Sequence, residues 1–397
     1  MLEDKTCRQA DRETDLLLTT GNSAVLEHHD LSSQGGLYMW KISQTVLAAA
    51  LLAIPAVSSA PALASDKTYE LRYTEHGPSR GPRAETFMWW ADELEARSNG
   101  QIKVEFFWGQ SLAKAKDAIK AVRSGFADAG TVVGIYAASD LPVWNFSNTP
   151  FFFEDEWVAL RTMTEAREKI PALRDEPEKL GIKVLFNLVS GPVQLMSAKK
   201  PIVSQEDLKG MKVRTAGGWT ALLDALGAVP VKIGYGELYA AFDRGTIDAT
   251  INYVPQVKAT KQYEVASHIT EANMGQIVGW GTGINLDLFE SMPEELQEVV
   301  IDVSDEVVDI FAQKLIESYN QAKVDLAAGI DGNTVSFHTL SDEERENWKA
   351  LAQPIIDKWL DTMEQKGIDG QAILSEITEI RAKYRKELAD NGYPWER

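Results

Sequence analysis

Two stretches of this chain close a helical pattern and enter an apolar run in the same way. Ser124-Gly125-Phe126-Ala127-Asp128-Ala129 and Arg244-Gly245-Thr246-Ile247-Asp248-Ala249 each set a glycine after an apolar-striped helix and an Asp-Ala step before the next strand. Glycine ends helices in the left-handed conformation without a side-chain penalty. The recurrence has two readings: a common helix-to-strand turn, or one motif carried by each of two similarly built lobes. At 397 residues the chain has room for two or three folding units.

Around the first copy, strand and helix periods alternate. Residues 68–73 put Tyr69, Leu71 and Tyr73 on one face. Pro82 suits a first helical turn, and the stripe Ala84, Phe87, Met88, Ala91, Leu94 runs to a stop at Ser98-Asn99-Gly100. Residues 102–108 read as a second strand, and Ala115, Ala118, Ile119 and Val122 stripe the next helix. This alternation predicts α/β units on a mainly parallel sheet. Further on, residues 183–188, 211–213 and 229–233 read as strands, and Trp219, Leu222, Leu223 and Leu226 mark a helix. Residues 293–326 carry apolar side chains at helical spacing with no Gly or Pro after the start. Such a helix is about 50 Å long, enough to cross one lobe and enter the next. Two shorter helices, near 342–365 and 371–390, are expected to cap a lobe rather than pair between subunits, so a monomer is expected.

One apolar run, at residues 42–57, follows Met39-Trp40-Lys41 and precedes Ala62-Leu63-Ala64. A cationic start, a short apolar stretch and small residues at its end fit a cleaved secretory signal over residues 39–64. A membrane anchor, the other reading, wants roughly 20 apolar residues, and this run is shorter and broken by Pro55. Residues 1–38 are polar and lack a hydrophobic period. They are expected to be an unstructured upstream extension ahead of Met39. The mature chain then begins near Ser65 and, having lost Cys7, contains no cysteine, which suits an oxidising compartment.

Asp and Glu number 59 against 40 Lys and Arg, a net charge of −19. Such a surface repels phosphate backbones and anionic lipid, so neither nucleic acid nor membrane insertion of the mature chain is expected. One cysteine and five scattered histidines rule out a disulfide scaffold and a cysteine- or histidine-rich metal site. Phosphate-loop, nucleophile-elbow and His-Glu-x-x-His motifs are missing. Gly279-Trp280-Gly281-Thr282-Gly283 lacks the spacing of a dinucleotide loop. Nothing in the sequence asks for an enzyme, a metal or a cofactor.

Within Gly210-Met211-Lys212-Val213-Arg214-Thr215-Ala216-Gly217-Gly218-Trp219, a short apolar strand ends in an arginine, followed by small residues and a helix. Strand carboxyl ends face the ligand crevice of open α/β sheets, and a guanidinium grips a carboxylate through two parallel hydrogen bonds. An exposed loop arginine is the other reading of Arg214. Further segments follow in order along the chain. They are Gly100-Gln101-Ile102-Lys103-Val104, Gln110-Ser111-Leu112, Asn148-Thr149-Pro150-Phe151-Phe152-Phe153, the run from Gly234-Tyr235-Gly236-Glu237 to Arg244-Gly245, and Ile247-Asp248-Ala249-Thr250-Ile251-Asn252. Taken with the Arg214 segment, this set resembles the DctP family of TRAP transporter solute-binding proteins over about residues 68–390.

The resemblance implies a two-lobed α/β fold of the periplasmic-binding-protein kind, with hinge strands and a long lobe-spanning helix. Lobe I would comprise residues 65–189 and about 278–318. Lobe II would comprise 190–277 and about 319–397, including the C-terminal helices. It implies that Arg214 binds a ligand carboxylate and that Asn252 also reaches the ligand. Glu75 and His76 after the first strand, Tyr136 after the third, Tyr235, Trp219 and Gln194 align with or near ligand-contact positions. Gln194 stands where sialic-acid-type members carry a second arginine, which counts against that ligand class. For each of these six, ordinary core or rim packing is the other reading. Trp219, Tyr235, Tyr136 and Tyr253 would build either an apolar wall for a hydrophobic carboxylate or a cation-holding box for a betaine-like acid. Glu75 would favour a cationic or hydroxylated distal group. The function implied is periplasmic capture of a small organic acid anion and its delivery to the membrane permease subunits of a TRAP-type transporter. The alternatives are the binding protein of an ATP-driven importer, an enzyme on a two-lobed scaffold, and a sensory ligand-binding domain.

Overall fold

The computed structural model describes residues 67–397. The expected secretory signal at 39–64 and the expected extension at 1–38 lie outside the described residues. In the first lobe, β1 (Tyr69–Thr74), β2 (Ile102–Phe107), β3 (Ala129–Val133) and β4 (Ile182–Leu188) alternate with helices, among them Pro82–Arg97. The second lobe supplies β5 (Gln194–Ser197), β6 (Lys212–Arg214), β7 (Val229–Val231), β8 (Ala249–Asn252) and β9 (His268–Glu271). The chain re-enters the first sheet as β10 (Trp280–Asn285) and the second as β11 (Ser336–Thr339). The sheet orders are β2-β1-β3-β10-β4 and β11-β9-β5-β8-β6-β7.

Each sheet is mainly parallel, as the alternation in the sequence predicts, with one reversed strand. β10 runs antiparallel to β3 and β4, and β5 antiparallel to β8 and β9. The reason is connectivity. Each reversed strand is the first that the chain lays down after crossing from one lobe to the other.

The two Gly-x-x-Asp-Ala turns occupy equivalent places. Gly125 and Gly245 sit at φ +69° and +66°, a region that L side chains rarely enter. The Asp128 carboxylate accepts from the Arg72 backbone N–H and Asp248 from that of Lys212, each at 2.9 Å. Ala129 pairs with Tyr73, and Ala249 pairs with Val213. The pairs β1–β3 and β6–β8 are therefore two copies of one parallel unit, and the order β2-β1-β3 is repeated as β7-β6-β8.

The inner strands of each sheet are covered on both faces, so β3 and β5 are buried along their whole length. In the second sheet, Leu195 packs with Leu222 and Trp348 on one side, while neighbouring Met196 packs with Phe242 and Ile269 on the other. Two crossings, residues 189–193 and 272–279, lie against each other. Val193 N–H donates to Gly275 O (2.8 Å), Met274 N–H to Val193 O (3.0 Å) and Ser190 N–H to Ile277 O (2.9 Å). The third crossing is the helix Glu294–Ala328, 35 residues or about 52 Å long. Val300, Val307, Phe311 and Leu315 pack into the first lobe. Ala322 and Leu326 pack into the second.

The C-terminal helices depart from the expected partition. Trp348, in the helix Asp342–Ala350, belongs to the second lobe. Met363, Ile373, Ile377 and Ile380, in the helices Gln353–Gln365 and Gly370–Asn391, fill the core of the first. Tyr384 meets Trp157 edge-on at 5.7 Å, and Lys383 and Tyr384 both reach Glu165 (2.6 Å each). An amphipathic stripe announces that a helix is buried on one face but does not say against which core.

Candidate functional site

The carboxyl ends of β1 and β6 lie where neighbouring strands leave to opposite sides, the crevice in which open α/β sheets hold ligands. Here the two ends face each other across a cavity of about 60 Å³. That is several times the ~10–15 Å³ needed by one water, and suits a compact molecule. His76, Arg83, Tyr136 and, at the start of β10, Trp280 line it from the first lobe, and Arg214, Tyr235, Asn252 and Tyr253 from the second. The lobes are closed over it. Arg80 Nε donates to the Ala259 carbonyl (2.6 Å) on one side, and Ile135 lies against Gly217 on the other. A wider cleft of about 900 Å³ adjoins the cavity, bordered by Lys114, Lys116 and Lys232. All three are exposed, and none has an ion-pair partner among the described residues.

Arg214 is the last residue of β6 and only 4% exposed. Its Nε donates to the Ile233 carbonyl (3.2 Å), and its guanidinium lies 5.6 Å from the centre of the Tyr235 ring. These contacts fix the orientation of the fork. No carboxylate among the described residues pairs with Arg214, so its terminal nitrogens are not committed to a protein acid. Asn252 ends β8 and is held on three sides. Its Oδ1 accepts from Tyr253 N–H (2.9 Å) and Tyr235 OH (3.3 Å), and its Nδ2 donates to Gln262 Oε1 (2.5 Å). One N–H of that amide is left to give. Burial pushes the Tyr235 and Tyr253 hydroxyls up, so both are neutral phenols at physiological pH.

On the first-lobe side, His76 and Arg83 stand over a buried acid. Glu75 is fully buried. It accepts from Gly77 N–H (2.6 Å) and from the Thr131 hydroxyl, and its Oε1 lies 3.3 Å from Arg83 Nη2. Behind it, Tyr73 OH joins Thr131 (3.0 Å) to Thr282 (2.7 Å). Burial alone would raise Glu75, but Arg83 and these hydrogen bonds outweigh it and hold the carboxyl below its usual range. Burial pushes His76 down to about 4 against the pull of Glu75, so its imidazole is neutral at pH 7. Arg83 is thus the cation that balances Glu75. Glycine at position 77 is required by close approach, since a Cβ there would lie 1.4 Å from Arg83 Nη2.

Of the residues expected at the ligand, Arg214, Asn252, Tyr235, His76 and Tyr136 line the cavity, as does Tyr253. Three others lie elsewhere. Trp219 is buried in the second-lobe core with Nε1 donating to the Met274 carbonyl (3.1 Å). Gln194 exchanges hydrogen bonds with Asn273 (2.7 and 2.9 Å) and fastens a crossing strand. Glu75 sits behind Arg83, away from the cavity wall. The sequence reading misses Arg83 and Trp280. Arg83 follows Pro82 at a helix start, where an arginine reads as solvated. The available signal was a buriable Glu75 and a glycine within two residues of it. Trp280 lies in the glycine-rich run, which is strand β10, and Arg83 sits 5.4 Å from its ring.

Two α/β lobes joined by three crossings and closed on a small cavity between strand ends define a solute-binding architecture. The chain belongs to the DctP family, described as bacterial extracellular solute-binding protein, family 7, whose model matches residues 74–362. It is 28% identical over 270 residues to the C4-dicarboxylate-binding periplasmic protein DctP of Rhodobacter capsulatus, covering 66% of this chain and 78% of that one. It is 27% identical to the 2,3-diketo-L-gulonate-binding periplasmic protein YiaO of Escherichia coli K12, covering 62% and 76%. Among solved structures, a marine-metagenome TRAP solute-binding protein in complex with pyroglutamate superposes with a TM-score of 0.71 at 21% identity, covering 79% and 99%. A TRAP solute-binding protein from Rhodoferax ferrireducens with copurified benzoate gives 0.71 at 21%, covering 80% and 99%. No helix among the described residues is long and apolar enough to cross a membrane.

Proposed function

We propose that this protein captures a small organic acid anion in the periplasm, by an Arg214–carboxylate clamp, and hands it unchanged to the permease subunits of a TRAP-type transporter. In this reading a signal over 39–64 exports the chain and the mature protein works as a monomer. The observation that carries the clamp is a buried guanidinium, oriented from behind and without an acid partner among the described residues, in the wall of a closed interlobe cavity. The ligands for which the relatives are named, dicarboxylate and sugar acid, and those in the related structures, pyroglutamate and benzoate, are organic acids of both single and double charge. Family alone therefore leaves the charge of this ligand open.

Closing the lobes takes both charges out of water, which is favourable only when the remaining lone pairs find donors. Asn252 supplies one, and the small residues after Arg214 permit close approach. Two charge-assisted bonds at about 1.5–3 kcal/mol each correspond to roughly 10²–10⁴ in affinity. Calorimetry against a panel of organic acids is the test. Arg214→Ala is expected to abolish detectable binding, and Arg214→Lys to fail as well because a point charge lacks the fork. Near-wild-type affinity in either variant refutes the clamp.

A further inference from the structure

Two guanidinium groups reach the cavity, and their electrostatic company differs. Arg214 has no acid partner among the described residues. Arg83 lies 3.3 Å from Glu75, a carboxylate with no exposure to solvent, whose other neighbours are Thr131, a backbone N–H and, at 3.5 Å, His76 Nδ1. The arrangement is built rather than incidental, because Gly77 clears the space that the Arg83 guanidinium occupies. No other lining residue is charged, since His76 is neutral and Tyr136, Tyr235, Tyr253, Asn252 and Gln256 are polar but uncharged. The first-lobe wall therefore sums to zero and the second-lobe wall to a single positive charge.

We propose that the cavity selects compact monoanions, and that Glu75 enforces this by cancelling and positioning Arg83, so that a second carboxylate finds no net counter-charge. The inference rests on the Arg214 clamp of the proposed function. A ligand with one carboxylate satisfies Arg214 and leaves the buried site neutral. A dicarboxylate would bring its second charge against a guanidinium whose field Glu75 already opposes, while still losing its hydration in full. Arg83 can still hydrogen-bond such a monoanion, since its Nε is a buried atom without a hydrogen-bond partner among the described residues. The His76 ring is turned inward, with Nδ1 3.5 Å from Glu75 Oε1 and Nε2 3.5 Å from Arg83 Nη1.

The test is calorimetry at pH 7.5 with lactate and pyroglutamate as monoanions and succinate and malate as dianions, on wild type, Glu75→Gln and Glu75→Asp. Wild type is expected to bind its best monoanion at least 100-fold tighter than either dianion. Glu75→Gln keeps the shape and one acceptor oxygen for the Gly77 N–H, turns the other position into an amide donor toward the Thr131 hydroxyl, and unmasks Arg83. It is expected to narrow that ratio at least tenfold through a gain for the dianions, whereas Glu75→Asp restores the wild-type order. Glu75→Gln/Arg83→Gln removes both charges and is expected to keep the monoanion preference even if the single variant does not fold. Equal or tighter dianion binding by wild type overturns the inference, as does an unchanged ratio in Glu75→Gln or a reversed order in the double variant. Binding that Arg214→Ala abolishes, together with an unchanged ratio in Glu75→Gln, defeats this inference alone. Absence of binding by every acid, or binding indifferent to Arg214→Ala, defeats the clamp and this inference with it.

Discussion

Glu156 is where pH should act on the fold. It opens the helix Glu156–Lys169, directly after the capping Asp155, and is buried. Its carboxyl lies beside the crossing strand, 3.8 Å from where a Cβ on Gly191 would stand. Burial, with the neighbouring Asp155 charge added, pushes Glu156 up to about 8 from an ordinary 4.5. The folded chain therefore holds a proton that the unfolded chain has already released. The stability this group contributes is complete below the unfolded value and is lost as pH rises through the folded one, at about 1.4 kcal/mol per unit. Between pH 5.5 and 7.5 the loss is roughly 2–3 kcal/mol. Glu156→Gln keeps the volume and removes the titration. Its stability should stay within about 1 kcal/mol of wild type near pH 5 and exceed it by about 2–3 kcal/mol at pH 7.5. Urea unfolding followed by tryptophan fluorescence at pH 5.5, 6.5 and 7.5 measures the difference. His76 acts with the opposite sign, since its folded value lies below its ordinary one and stability rises with pH through that window. It is common to both proteins and cancels in the comparison. If the two stability profiles run parallel from pH 5.5 to 7.5, Glu156 is not a neutral acid in the native state and the reasoning is wrong.

Two further outcomes follow from where side chains sit. Trp219→Phe removes the hydrogen bond to Met274 and part of a core side chain. It should cost about 1–3 kcal/mol in urea unfolding while leaving ligand affinity within about twofold. A large affinity loss at unchanged stability would return Trp219 to the binding site. The lysines bordering the outer cleft stand in a chain of net charge −19, so they should draw anions toward the cavity. The triple variant Lys114→Gln/Lys116→Gln/Lys232→Gln should slow stopped-flow association several-fold in 10 mM salt and match wild type in 0.5 M salt, where exposed charges are screened. Equal rates at low salt would exclude steering by these groups.

What the sequence makes legible follows from what a periodic pattern encodes. The long helix, expected over 293–326, is observed at Glu294–Ala328 because no Gly or Pro interrupts it. The repeated Gly-x-x-Asp-Ala turn carries over because a positive φ and an Asp–backbone hydrogen bond both demand particular residues. Arg214 is readable at the cavity because strand ends in open sheets point to one place. Trp219 is not, because it opens the helix Trp219–Ala225, whose apolar face with Leu222 and Leu223 is turned into the second-lobe core. Glu75 and His76 are neighbours at a strand end, yet only His76 reaches the cavity, and composition gives no way to choose between them. Arg83 is invisible for a different reason. Its burial depends on an acid from β1's end and a missing Cβ at Gly77, which meet only in three dimensions.

The return of the last two helices to the first lobe bears on the order in which the molecule can be completed. Strands β5 to β9 of the second lobe lie between residues 194 and 271 without interruption from the other body. The first lobe begins at Tyr69 but waits for β10, then for most of the long helix, and finally for the segment ending at Asn391. A nascent chain leaving the ribosome therefore exposes Phe87, Trp90 and Trp157 long before their cover is made. Contacts so distant in sequence form slowly, and the earliest part to emerge is the last to become native, which leaves the polypeptide loose and threadable until its synthesis is nearly over.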